Sequence, residues 1–377
     1  MNRQQIMSRL ACDVPVVYTQ GPWSLWDRQS EEFRGSPILG RTTQHDGVSV
    51  DVPSRLLVTW RKWPALTRFV EALHARRLRR ALQSARDLPL VAYLFGPELL
   101  PVATSLRPDL LVYHAYDLFE STPGWSARDD ALQRAAIARA GLVFGSSRTI
   151  VDRLETLGAS APEFVPNGVD FAAFSSSGFA AHRPCSALEH IAQPRIGYTG
   201  RINRKVDLAL IAGLASRHPN WQFVMVGPVV DLDHHSESAL ARCKQLSNLY
   251  FLGAQPVDRL PALVASMSVN LLAYRTSNDV WTQGIYPLKL HEYLAAGPPV
   301  VSADLPYVDE FRDVVAVAGN ETAWDALIDR ALESDHVENR AHRADVARRN
   351  DWSARVEHID GRIRAALGLS ASSQRLR

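Results

Sequence analysis

The sequence predicts an α/β protein of two Rossmann-like, doubly wound domains that face a cleft. Three observations predict it. The chain has 377 residues, too many for one ordinary domain and suited to two of about 150–190 residues each. Apolar, β-branched runs alternate with amphipathic stretches, which is the order of parallel strands joined by crossover helices. After Phe174 the alternation stops for "SSSGFAAHRPCSALEHIAQ", polar and small with a proline, a linker composition. The predicted division is a first domain at 1–174, a linker at 175–194, a second domain at 195–352 and a terminal segment at 353–377.

In the first half, strands are expected at "VPVVY" (14–18), "RLLVTW" (55–60) and "PLVAYLF" (89–95). Three more follow at "DLLVYHAY" (109–116), "AGLVFGSS" (140–147) and "PEFVPNGV" (162–169). Helical spacing fills 65–85 and 128–139. A second series begins with "RIGYTG" (195–200), "QFVMVG" (222–227) and "LYFLG" (249–253). It continues with "SVNLLAY" (268–274), "PPVVSA" (298–303) and "VVAVAG" (314–319). "DLALIAGLASRHP" between its first two strands reads as a helix, and a last helix at 353–367 can cross back to the first domain. In such folds ligands bind beyond the carboxyl ends of the strands.

Composition narrows the partners. A formal charge of +2 gives no strong pull on nucleic acid, so none is expected as a partner. Cys12, Cys185 and Cys243 are far apart and make neither a CxxC pair nor a zinc-ligand cluster. The amino terminus has no signal-peptide pattern. No window approaches the roughly 18 apolar residues of a membrane span. The expected location is cytoplasmic, at most peripheral on the inner face of the cell membrane. Several cofactor motifs are missing as well. The sequence contains no GxGxxG after the first strand, no Walker A loop, no HExxH and no GxSxG, so dehydrogenase, P-loop kinase, zinc-hydrolase and α/β-hydrolase readings lose their support.

Anion-binding parts remain, all in the second half. "GYTGRINRK" sets Arg201 straight after a strand and a glycine, with Arg204 and Lys205 opening the next helix. Cations at a helix start make a phosphate cradle, although the same spacing suits solvated surface charges. "IYPLKLHEYLAAGPPVV" (285–301) offers a second place. Pro287 suits a first helical turn. Lys289 and Glu292 are three apart and share a face. The lysine and the adjacent helix start suit a phosphate, and the glutamate suits vicinal hydroxyls, which together describe a nucleoside diphosphate. A simple Lys289–Glu292 pair across one turn fits the spacing equally well. The chain has only four lysines, Lys62, Lys205, Lys244 and Lys289, against abundant arginine; a retained lysine can mark a place that needs a compact ammonium.

Together these residues resemble the GT-B glycosyltransferases, in particular bacterial enzymes that build exopolysaccharide or teichuronic-acid-type chains from nucleotide sugars. "YTGRINRKVDLALI" looks like the opening of that superfamily's donor domain, "YPLKLHEYLAAGPPVVSADLP" like its donor-contacting block, and "FVPNGVDFAAF" like the phrase closing its first domain. The resemblance implies that Arg201 and Lys205 contact the diphosphate, with Arg204 an alternative to Lys205. It implies that Lys289 serves the phosphate end, that Glu292 holds the ribose hydroxyls, and that His291 lines the same cleft. It implies no metal and no cofactor, with the nucleotide sugar as substrate. One position departs. Members related to family four often carry two glutamates with seven residues between them; Glu292 matches the second, but the first position is Gly284. Backbone amides of "QGIY" would then take over at the sugar.

Transfer needs a base for the acceptor hydroxyl. "LVYHAYDLFESTPGW" places His114, Asp117 and Glu120 near the end of a strand, and Asp117 is the expected base with His114 as the alternative. An aspartate capping a turn there reads equally well. From 55 to 86 there are nine basic residues against one acid, Glu71, with Trp60 and Trp63 at the start. This suits an anionic membrane surface and a lipid-linked or polysaccharide acceptor. Beside a glycosyltransferase of bacterial cell-surface glycans stand two alternatives: a nucleotide-sugar epimerase, and a non-catalytic donor-binding subunit of a glycan-assembly complex.

Overall fold

The computed structural model describes residues 2–369, apart from 61, 123, 180–185 and 277–283. They form two compact units: Met1–Pro166 together with Ser353–Arg377, and Asn167–Trp352.

The first unit spreads its strands over three sheets. β1 (Val17–Tyr18), β2 (Trp23–Ser24), β3 (Arg41–His45), β4 (Val48–Val52) and β5 (Val58–Thr59) come first. β1 pairs parallel with β4, β3 joins β4 antiparallel, and β2 pairs with β5. The β3–β4 hairpin was not among the expected strands. Every residue of β3 is exposed, so it carries no apolar alternation. Its signal is the Asp46–Gly47 turn, where both residues have positive φ, 48° and 77°, the requirement of a tight hairpin.

β6 (Val91–Leu94), β7 (Leu110–Ala115), β8 (Leu142–Gly145) and β9 (Glu163–Phe164) make the main parallel sheet, in that order. All six residues of β7 are buried, and burial on both faces explains why its sequence is apolar throughout rather than alternating. Helices Ala127–Arg139 and Arg148–Thr156 start at Ser126 and Ser147, and the Ser147 hydroxyl accepts from the Ile150 amide, a standard N-cap. From Ser353 the last helix, Trp352–Ala366, lies in this unit. Arg362 donates to Glu163 on β9 at 2.6 Å, and His358 stands 3.1 Å from the same carboxylate.

The second unit is one six-stranded parallel sheet. β10 (Arg195–Thr199), β11 (Gln222–Val226), β12 (Leu249–Gly253), β13 (Val269–Leu272), β14 (Val300–Ala303) and β15 (Ala316–Ala318) lie in the spatial order β12-β11-β10-β13-β14-β15. Numbered within the unit this is 3-2-1-4-5-6, the doubly wound order, whose topological switch falls between β10 and β13. β13 and β14 are buried along their whole length. Helix Phe171–Phe179 packs on helices Leu260–Ala265 and Lys289–Ala296. The second unit therefore begins at Asn167, ahead of the expected boundary at 174, and part of the expected linker is helical.

β10 and β11 approach each other closely at their carboxyl ends. A Cβ on Gly227 would stand 2.0 Å from the Gly200 carbonyl oxygen, and both glycines have positive φ, 136° and 141°. Only glycine serves at these two positions.

Candidate functional site

The carboxyl end of β10 meets the start of helix Lys289–Ala296. Leu290, Tyr293 and Leu294 are wholly buried and hold the helix on the sheet. Tyr293 fixes its height: the hydroxyl accepts from the Thr199 amide at 2.8 Å and donates to the Thr199 carbonyl at 3.2 Å.

This anchoring lays Lys289 across Gly200. A Cβ on Gly200 would sit 2.6 Å from Nζ, so the lysine occupies space that the glycine leaves open. Nζ donates to the Tyr198 hydroxyl at 2.7 Å. It stands 4.0 Å from the Tyr198 ring centroid and 5.1 Å from that of Tyr274, within cation–π range of both. The Tyr198 hydroxyl donates onward to the Arg201 carbonyl at 3.1 Å. Lys289 directs its hydrogen bond to Tyr198 rather than to Glu292, which disfavours the simple pair across one turn.

Burial pushes the half-buried Lys289 ammonium down to about 7, against the pull of Glu292. Burial likewise raises the Glu292 carboxyl, and the Lys289 ammonium opposes that shift. Burial thus disfavours the charged form of each group, an electrostatic setting that suits a polar ligand. Leu288, which precedes this helix, supplies no side-chain cap, and a helix start of this kind favours an anion.

Other expected residues are placed differently. His291 is fully buried, 2.8 Å from the Tyr286 hydroxyl and edge-on to Phe311. It faces the core, which corrects its expected place in the cleft. Arg204 and Lys205 do not open a helix; the helix begins at Leu208, and its N-cap Asp207 accepts from the Leu210 amide. They lie in a loop whose carbonyls, on Arg204 and Lys205, accept from the side chain and backbone of Arg275. The expected cradle of a helix start beside Arg201 is therefore already capped. Arg201 itself is exposed and paired with Asp231 at 3.1 Å, leaving a guanidinium that can change partner at small cost. Gly284 is buried, while most of the neighbouring "RTSNDVWTQG" lies outside the described residues.

In the first unit, His114 is 1% exposed on β7. Its Nδ1 lies 2.7 Å from the Tyr93 hydroxyl, and Phe95 and Phe144 pack on the ring. Burial pushes it down to about 4, so it stays neutral. An imidazole so enclosed cannot reach an acceptor hydroxyl, and its expected role as alternative base is corrected: it is a core histidine. Glu120 is paired with Arg153 at 2.6 Å. Asp117 follows β7 half-buried and accepts from the Leu118 amide at 2.9 Å. The turn contact is thus real, and the carboxylate retains exposure.

Sequence reasoning missed Tyr198, Gly200 and Tyr274 as a unit. Tyr198 was read only as part of a strand, although an aromatic beside the carboxyl end of a doubly wound strand was itself a signal.

Known proteins resemble this chain in sequence and in fold. Residues 193–334 match the family described as "Glycosyl transferases group 1". The chain is 29% identical over 214 residues to the "Putative teichuronic acid biosynthesis glycosyltransferase TuaH" of Bacillus subtilis (strain 168), covering 55% of this chain and 52% of that protein. It thus spans about half the length of that curated relative. Among solved structures it is similar to Anabaena HepE in complex with UDP, with a TM-score of 0.60 and 17% identity over 83% of this chain and 86% of that one. It is also similar to sucrose-phosphate synthase from Thermosynechococcus elongatus, with a TM-score of 0.68 and 14% identity over 98% and 93%. At such identities the structures speak for the fold, and that fold is GT-B. Residues 193–334 therefore match the group 1 glycosyltransferase family, within a chain that has the GT-B fold.

Proposed function

We propose that this protein transfers a sugar, of hexose type, from a nucleoside-diphosphate sugar to a glycan or lipid-linked acceptor in the synthesis of a bacterial cell-surface glycan. The observation that carries the reading is Lys289 laid across Gly200 at the end of β10, with Glu292 one turn deeper on an uncapped helix. The UDP complex of HepE and the family match over 193–334 support a nucleotide-sugar donor. The likeness to TuaH supports a cell-surface glycan as product.

In the proposed step the acceptor oxygen bonds to the anomeric carbon as the bond from that carbon to the diphosphate oxygen breaks. The hydroxyl proton passes to Asp117. The diphosphate leaves with its charge stabilised by Lys289, Arg201 and Lys205, a preorganised electrostatic contribution. Glu292 holds the ribose hydroxyls, and backbone near Gly284 meets the sugar. The proposed reaction uses no metal or cofactor.

Thermal denaturation with UDP, GDP, ADP and TDP tests the donor assignment. A ligand at one hundred times its dissociation constant adds about 2.7 kcal/mol. A selective shift with one diphosphate is expected, and no shift with any of them contradicts the reading. Donor turnover with and without acceptor then separates transfer from epimerisation and from binding alone.

A further inference from the structure

Among the described residues, ten large hydrophobic side chains are exposed, and seven of them fall between residues 26 and 69 of the first unit. Scattered singly such residues need no explanation, but grouped ones mark an interaction surface.

Three of them, Trp63, Leu66 and Phe69, stand at the start of helix Pro64–Ala81. Val70, His74 and Leu78 form its buried stripe. Leu66, Phe69, Leu73, Arg76 and Arg80 follow spacings of three and four, and so share a second face. This face is apolar in its first turns and arginine in its last. Phe69 is 59% exposed and Leu66 38%; Arg76 and Arg80 are exposed and Leu73 is half-buried. Trp63, also 59% exposed, extends the apolar end. It is held in place by stacking on Trp60, with ring centroids 5.4 Å apart, and the Trp60 backbone is tied at both polar groups to the Thr67 hydroxyl.

Charge on the helix is one-sided. Its one acid, Glu71, is half-buried and lies near the buried stripe. Arg77 is tied to Asp51 and the Val52 carbonyl, and Arg79 to the Leu106 carbonyl. Those two arginines are tied back to the unit, which leaves Arg76 and Arg80 as the outward charges of this face. An ordered aromatic and aliphatic edge followed by arginines matches the depth profile of an anionic bilayer: hydrocarbon-adjacent below, lipid phosphates above.

We propose that this face docks on an anionic lipid bilayer, with Trp63, Leu66 and Phe69 entering the headgroup region and Arg76 and Arg80 meeting lipid phosphates. The inference is independent of the donor assignment, because it uses only the first unit.

Sedimentation of the full-length protein with vesicles tests it. Vesicles of phosphatidylcholine with about a third phosphatidylglycerol should bind at least ten times more protein than phosphatidylcholine alone. This follows because each basic side chain near an anionic surface contributes about fivefold. Leu66→Ser with Phe69→Ser should lower that partition at least tenfold, as should Arg76→Glu with Arg80→Glu, while circular dichroism and melting temperature stay unchanged. Three results overturn the proposal: no binding to the anionic vesicles, equal binding to neutral ones, or variants that bind like the parent. Failure to bind vesicles together with a solution dimer abolished by Phe69→Ser would assign the face to a second copy instead.

Discussion

Lys289 and His114 are two ionisable residues at the carboxyl ends of buried parallel strands, and the structure treats them in opposite ways. His114 is enclosed by Phe95, Phe144 and Tyr93, and burial holds it neutral. Lys289 rests on Tyr198 and Tyr274 over a glycine, half-buried, with a pKa near the working range, at about 7. Nearness to a strand end does not by itself make a site. A site also needs exposure on one side and a charge whose solvation a ligand can complete.

The comparison can be broken most sharply from the first unit. Asp117→Asn should lower transfer by about a hundredfold to ten-thousandfold while leaving diphosphate affinity unchanged; normal turnover in a radiolabelled-sugar assay would remove Asp117 from the mechanism. Next in size, Lys289→Ala should weaken diphosphate binding by about tenfold to a hundredfold, the scale of a hydrogen bond to a charged group, as read by calorimetry. Gly200→Ala introduces a Cβ 2.6 Å from Nζ at a φ of 141°. It should cost about 1–3 kcal/mol of stability and weaken diphosphate binding along with it. A variant that melts and binds like the parent would show that the lysine does not need this opening.

His114→Gln is the smallest in catalytic effect and tests the other half of the comparison. It should lower stability by about 1–3 kcal/mol by disturbing the buried contact with Tyr93, yet leave the rate of the folded enzyme intact. A large loss of turnover at unchanged melting temperature would restore His114 to the chemistry.

How much of this was legible in the sequence follows burial. Strands β11, β13 and β14 were readable because burial on both faces makes nearly continuous apolar runs. The β3 strand was not, because all its residues face water. At the site, Lys289 and Glu292 were readable from their spacing on one helix. His291 was misplaced because it stands between Lys289 and Glu292 in the sequence, whereas its neighbours in space, Tyr286 and Phe311, are aromatic. The contact of Lys289 with Tyr198 spans 91 residues, and nothing local encodes it. The Phe69–Arg80 face was visible as a basic stretch, but only the fold separates the outward Arg76 from Arg77, which is bound inward to Asp51.

The most direct test of the central claim is calorimetric titration of UDP, the nucleotide held by HepE, into the protein and its Lys289→Ala variant at pH 6 and pH 9. A lysine depressed to about 7 is charged at pH 6 and largely neutral at pH 9, and phosphate favours its charged form. Affinity should therefore be higher at pH 6 and fall by pH 9, with proton uptake on binding at the higher pH. The variant should bind weakly with little of that dependence. Equal affinity and an equal pH profile in both proteins would contradict the assignment of Lys289 to the diphosphate.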